Sequence, residues 1–148
     1  MSPHDATFAL LIYYVQIMKL QSVRIITADV KRLVNFYEKA TAMNAKWLTE
    51  DFAEISAGIC TLAIGSTKTL AFFGDAIAEP SVNKNVIIEF RVDNVDDVYI
   101  RIKNLTRDIV QEPVTMPWGN RSLLFRDPDG SLINFFTPVT PKAIEKFS

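Results

Sequence analysis

Phe125-Arg126-Asp127-Pro128-Asp129-Gly130-Ser131 is the stretch that decides how this chain folds. Pro117-Trp118-Gly119-Asn120-Arg121 stands just before it and Asn134-Phe135-Phe136 just after. Asp-Pro-Asp-Gly is a tight-turn sequence. Pro128 presets φ, Asp129 can bond its own backbone, and Gly130 reaches φ > 0 without steric cost. Apolar runs at 122–125 and 132–136 flank the turn, so the spacing predicts a β-hairpin.

Outward from this hairpin the same plan occurs twice. Val23-Arg24-Ile25-Ile26-Thr27-Ala28-Asp29-Val30 leads into apolar residues at Val30, Leu33, Val34 and Tyr37. Ile88-Glu89-Phe90-Arg91-Val92-Asp93-Asn94-Val95 leads into Val95, Val98, Tyr99 and Ile102. Each set has the i, i+3, i+4, i+7 spacing of one helix face. Each later position is the earlier one plus 65. Asp29 and Asn94 stand where a helix needs an N-cap. The same offset carries Gly65-Ser66 onto Gly130-Ser131 and Leu70 onto Phe135. Two copies follow, at 20–75 and 85–137, each a strand, a helix and three strands. The first copy predicts strands near 20–27, 45–50, 58–64 and 67–73. The second predicts them near 86–92, 107–112, 121–126 and 131–136. Residues 75–85, with Pro80, read as a linker, and 139–148 as a tail with a short helix from Pro141. The period is too long for a solenoid, so two copies point to a pseudo-two-fold pair.

The duplication, with Pro-Trp-Gly and Asp-Pro-Asp-Gly in its second half, resembles the vicinal oxygen chelate superfamily over Leu20 to about Pro138. That superfamily includes glyoxalase I, extradiol dioxygenases and bleomycin-resistance proteins. The resemblance implies an α+β fold. Two βαβββ modules would form a curved mixed sheet around a cavity, within a single domain of residues 18–138. Metal-using members take one ligand from each of four strands, usually His, Glu or Gln. Carried over by strand position, those sites are Ser22, Thr69, Ile87 and Asn134. None is an imidazole or a carboxylate. Hydroxyls, one amide and an isoleucine cannot offset the desolvation of a divalent cation. No metal and no cofactor are therefore expected, and metal-dependent glyoxalase or dioxygenase chemistry is not.

Strand alternation separates the side chains into two faces. Val86, Ile88, Phe90 and Val92 are expected on the helices, which leaves Ile87, Glu89 and Arg91 facing inward. The same parity turns Ser22, Arg24 and Ile26 inward, and Leu132, Asn134 and Phe136 on the last strand. The repeat adds Thr69, Ala71 and Phe73. On the 121–126 strand the inner set is either Arg121, Leu123 and Phe125, or Ser122, Leu124 and Arg126; the first is preferred for its apolar bulk. Arg24 and Glu89 are equivalent under the repeat. They read either as an ion pair joining the modules or as a ligand site. In the second case Arg24 or Arg91 would hold a carboxylate or carbonyl, and Glu89, raised in pKa by apolar surroundings, would act as catalytic acid or base. Trp118 and Arg121 flank Gly119. Trp118 is either an aromatic lid for a small planar ligand or a side chain packed on the module interface. The candidate set is thus Glu89 for catalysis, with Arg24, Ile87, Arg91, Trp118, Arg121, Asn134, Phe73 and Phe136 for binding.

Composition narrows the functions further. A length of 148 residues suits one domain. Net charge is −1 with no basic run, which argues against nucleic-acid or anionic-membrane partners. Cys60 is the only cysteine, so no disulfide forms within the chain, and a buried reduced thiol fits a cytoplasmic location. The only histidine, His4, lies in a tail. Residues 1–17 form an apolar extension too short to span a bilayer, which takes ~20 apolar residues. The extension lacks the basic start and cleavage site of a signal peptide, and Met18 is an alternative start. Its apolar side chains need cover from their own domain or a partner subunit. There is no Walker loop, Gly-x-Gly-x-x-Gly, Cys-x-x-Cys or His-based triad. Three readings stay open. One is a metal-free homodimer binding a small, neutral or anionic, partly apolar molecule, as bleomycin-resistance proteins sequester drugs. Another is a glyoxalase-like lyase or isomerase that uses Glu89. The third is a structural or regulatory dimer whose cavity its own side chains fill.

Overall fold

The computed structural model describes residues 18–74 and 77–148. The apolar extension at 1–17, with His4, lies outside the described residues. The chain runs β1 (Ser22–Thr27), α1 (Val30–Thr41), β2 (Lys46–Thr49), β3 (Phe52–Ala57) and β4 (Cys60–Ser66). The plan then repeats with β5 (Ile87–Arg91), α2 (Val95–Leu105), β6 (Ile109–Thr115), β7 (Asn120–Arg126) and β8 (Leu132–Pro138), and ends with α3 (Pro141–Lys146). Each module is βαβββ, as expected. The strands form two four-stranded mixed sheets, ordered β1-β4-β3-β2 and β5-β8-β7-β6. In each sheet the first strand runs parallel to the last and the other pairings are antiparallel.

Both helices start where their caps dictate. The Asp29 carboxylate accepts from the Arg32 amide at 3.1 Å, and Asn94 Oδ1 accepts from the amides of Asp96 and Asp97. Asp96 and Asp97 also place negative charge in the first turn of α2, where the helix dipole favours it. The apolar stripes of α1 and α2 meet in one core with the helix-facing residues of both sheets. Leu33, Tyr37, Ile55, Ile64, Ile102, Leu123, Phe125 and Ile133 are all fully buried there. Phe36 of α1 packs on Phe125 of β7 with ring centroids 6.2 Å apart, so the first module's helix reaches the second module's sheet. Arg101 of α2 donates to the Ala40 carbonyl of α1 at 2.9 Å.

The structure corrects the first copy in one respect. Residues 67–70 form a 3-10 turn, not a strand, and the last strand of that module is Cys60–Ser66. The unexpected strand is Phe52–Ala57. The 65-residue offset holds through the first strand and helix, then breaks. Thr61 lies opposite Ser22 while Leu132 lies opposite Ile87, so the offset has grown to 71. Most of the growth precedes the last hairpin. Ser56 pairs with Thr61 and Arg126 with Leu132, so the third strands already stand 70 apart, and the Gly58-Ile59 connection against the longer 127–131 turn adds one more. Gly65-Ser66 is therefore not the counterpart of Gly130-Ser131. It ends β4 and caps the 3-10 turn through Ser66 Oγ.

Candidate functional site

Strand register defines an inner face on each sheet, turned away from the helices. Paired residues in a sheet project to the same side. On the first sheet Ser22, Arg24 and Ile26 pair with Thr61, Ala63 and Gly65 of β4, and these pair with Ser56, Glu54 and Phe52 of β3. On the second sheet Ile87, Glu89 and Arg91 pair with Leu132, Asn134 and Phe136. Beyond them stand Arg126, Leu124 and Ser122 of β7. The helix-facing set is the complement, and Leu123, Phe125, Ile133 and Phe135 of that set are core residues. Of the two inner sets weighed for the 121–126 strand, the structure selects Ser122, Leu124 and Arg126. The bulk that favoured Leu123 and Phe125 for the cavity belongs to the core.

The structure gathers Ile87, Glu89, Arg91, Asn134 and Phe136 on one inner face. Glu89 is exposed and accepts from Asn134 Nδ2 at 2.7 Å. Because a carboxylate only accepts, the amide nitrogen must face it, which turns Asn134 Oδ1 away. That oxygen is buried with no hydrogen-bond partner. A buried acceptor left unpaired costs free energy. A cleft of about 210 Å³, lined by Val23, Cys60, Thr61, Ile87, Glu89 and others, opens beside this pair. Cys60 is a free, half-buried thiol on that cleft.

Arg24 does not pair with Glu89. Its guanidinium lies over the Phe52 ring, 5.1 Å from the centroid, and the one ion pair among the described residues joins Arg121 to Asp96. Arg24 instead borders a larger cleft of about 340 Å³ under the linker, lined also by Ile26, Ser81, Asn83, Asp129 and Ser131. Arg121 departs from the expected inner set. It points to the helix side and binds the Asp96 carboxylate through Nε at 2.7 Å and Nη2 at 3.0 Å. That hydrogen bond holds the Asp96 carboxyl below its ordinary value and raises Arg121. Phe73 departs as well: it follows the 3-10 turn, 66% exposed, outside the sheet. Trp118 is exposed in the β6–β7 turn beside α3, away from Glu89.

A buried pair outside the inner faces ties the modules together. The Tyr37 hydroxyl of α1 donates to Asp127 Oδ2 of the second hairpin turn at 2.7 Å. The amides of Asp129 and Ser131 donate to Asp127 Oδ1 at 2.9 Å each. Burial is the largest cause of a raised pKa for both groups. The Asp127 charge raises Tyr37 further, while the donors to Asp127 oppose its rise.

The metal positions implied by the resemblance need one revision. Thr69 lies in the 3-10 turn, where its hydroxyl donates to the Ser66 carbonyl at 2.7 Å. On the second sheet Asn134 is opposite Glu89; on the first, Ala63 is opposite Arg24. The four related positions are therefore Ser22, Ala63, Ile87 and Asn134. One hydroxyl and one amide do not fit a divalent cation, which takes imidazole, thiolate or carboxylate donors. Among the described residues no group of three or more His, Cys, Asp or Glu side chains could hold a metal ion.

No described helix is long and apolar enough to cross a membrane. Comparison with known proteins agrees with the architecture. The chain is 26% identical over 131 residues to the uncharacterized protein YraH of Bacillus subtilis (strain 168), covering 80% of this chain and 98% of that one. A glyoxalase/bleomycin resistance protein/dioxygenase from Nocardioides superposes with a TM-score of 0.74 at 17% identity, over 93% of this chain and 95% of the other. A family enzyme of the same description from Burkholderia phytofirmans PsJN also gives 0.74, at 14% identity, over 82% of this chain and all of that one. At these identities the two structures attest the fold alone. The family model matches residues 19–135, both modules from β1 into β8. Two βαβββ units, each with its first strand parallel to its last, together with that match, make this chain a member of the Glyoxalase/Bleomycin resistance protein/Dioxygenase superfamily.

Proposed function

We propose that this protein binds a small, partly apolar, neutral or anionic molecule on the inner face of its second module, without a metal. The observation that carries the reading is the Glu89–Asn134 pair with its unpartnered Asn134 oxygen. A ligand N–H or O–H would satisfy that oxygen, Glu89 would fix the amide's orientation, and Ile87 and Leu132 would bury the ligand's apolar part. The first strands of both inner faces are open in one chain: Arg24, Ile87, Glu89 and Arg91 are all exposed. A second copy would supply the opposing wall, so the binding unit is a homodimer. A free thiol at Cys60 suits a cytoplasmic setting.

The test pairs elemental analysis of purified protein with a thermal-shift screen of small aromatic acids and dicarbonyls. The expected result is no stoichiometric transition metal and a ligand that raises Tm. Its affinity should fall about tenfold or more in Asn134→Leu, as when a buried polar contact is lost. Stoichiometric zinc, iron, nickel or manganese held by protein atoms would overturn the reading. Turnover that Glu89→Gln removes while binding survives would replace it with acid–base catalysis at Glu89.

A further inference from the structure

The C-terminal segment lies across the same inner face. After β8 the chain turns at Val139 and Thr140, whose amides both donate to the Gly119 carbonyl. Thr140 then caps α3 through its hydroxyl, which accepts from the Ala143 amide. Ala143 of α3 is buried. Gly119 has φ +94°, and a Cβ built there would lie 2.0 Å from Thr140 Oγ1, so only glycine lets this segment dock so closely. At the far end the Phe147 ring sits on Phe136, centroids 5.2 Å apart, and Phe136 is only 7% exposed. Arg91, paired with Phe136 on the sheet, donates from Nη1 to the Phe147 carbonyl oxygen.

Arg91 and Phe136, two residues of the candidate binding set, are thus occupied by the chain itself. Phe147 presents an aromatic ring to Phe136 and, from the carbonyl carbon three bonds along, an oxygen to a guanidinium. We propose that Phe147 is an intramolecular ligand, and that the molecule this face accepts is an aryl carboxylate which displaces it. A free carboxylate would bind Arg91 more strongly than a peptide carbonyl does, because both partners are charged. The contact closes one end of the face, next to Glu89 and Asn134, until the competing acid arrives. This inference rests on the inner face being the ligand site.

The probe is 3-phenylpropionate, whose ring and carboxyl carbon have the spacing of the phenylalanine ring and carbonyl carbon. It is titrated by calorimetry into the full chain, Phe147→Ala, a chain lacking 145–148, and Phe147→Ala with Arg91→Ala. Trp118, which shares a cleft with Phe147, gives a second signal in a Trp47→Phe background. If the closed form outweighs the open one about ten to one, removing Phe147 should tighten binding about tenfold in both shortened side-chain and shortened-chain variants. Arg91→Ala should then abolish that gain. Equal affinity in all variants, no binding in any, or a gain that survives loss of Arg91 would each overturn the proposal. Failure here leaves the Asn134→Leu result untouched. Conversely, unchanged affinity in Asn134→Leu alongside an Arg91-dependent gain would discredit only the Glu89–Asn134 reading.

Discussion

The two modules share strand order and helix caps but differ in what covers their inner faces. The first is lined mainly with small groups, Ser22, Ser56, Thr61, Ala63 and Gly65, beside Ile26, Glu54 and an Arg24 that rests on Phe52. The second carries larger groups, Glu89, Asn134, Arg91 and Phe136 among them, and Phe147 of the C-terminal segment packs on Phe136. Duplication fixes the scaffold because each βαβββ unit must bury the same helix stripe and sheet face. The inner faces are free of that demand, so the copies diverge there.

The two halves also differ in how they hold together, and this yields ordered expectations. The shared core dominates. Phe125→Ala removes a fully buried ring that touches Phe36 of the other module, and should cost about 3–5 kcal/mol. Urea unfolding should remain one cooperative transition; two separated transitions would mean that the modules fold independently. Next comes the buried link. Tyr37→Phe leaves Asp127 buried with one donor fewer and should cost about 1–3 kcal/mol by the same measurement.

That link has a pH signature. Asp127 has a raised folded pKa, so its titration favours the fold below the ordinary carboxylate value, and this contribution is lost as pH rises through the folded pKa. Tyr37 is also raised, so its contribution is complete below the ordinary phenol value near 10 and is lost as pH rises above it. In an alkaline absorbance titration the Tyr37 phenol should resist ionisation until the protein unfolds, so Tyr37→Phe should lose amplitude only in the unfolding step. Loss of amplitude from the ordinary phenol range in folded Tyr37→Phe would show that the link is open.

Gly119→Ala tests the docking that distinguishes the second module. Forcing a Cβ at that positive φ should cost about 1–3 kcal/mol and raise amide exchange in α3 ahead of the core strands. The smallest effect belongs to the surface. Arg121→Ala breaks an exposed ion pair and should leave Tm at neutral pH within replicate scatter. Asp96 is lowered by Arg121, so what stability the pair gives is present above the ordinary carboxylate pKa and lost as pH falls through the folded value. An acid-limb difference between Arg121→Ala and the parent would detect it; a neutral-pH difference of several degrees would show that the pair is more than surface.

Much of this was legible in particular residues. Asp29 and Asn94 announced two helices because a capping side chain satisfies amides the helix leaves open. Asp127-Pro128-Asp129-Gly130 announced its hairpin because those residues favour one local conformation. Phe52–Ala57 alternates apolar and polar residues, yet an ungapped 65-residue offset passes over it, because the chain from α1 to β3 is five residues shorter than the chain from α2 to β7. That slip moved Thr69 and Phe73 into a strand they do not occupy. Arg121 was misplaced for a different reason: apolar bulk at Leu123 and Phe125 signals burial, but not which side of a sheet is buried.

The sequence by itself determined the duplicated α+β plan, the helix starts, the second hairpin and the lack of metal-binding side chains at three of the four related positions. These follow from local conformational preference and from the period of apolar residues, which act over a few residues. Only the tertiary structure decided that Ala63 is the fourth position, that Asn134 turns to Glu89, that Tyr37 reaches Asp127 across the modules, and that Phe147 covers Phe136. Each of these joins residues tens of positions apart, and such pairings depend on loop lengths and sheet register that no local pattern encodes.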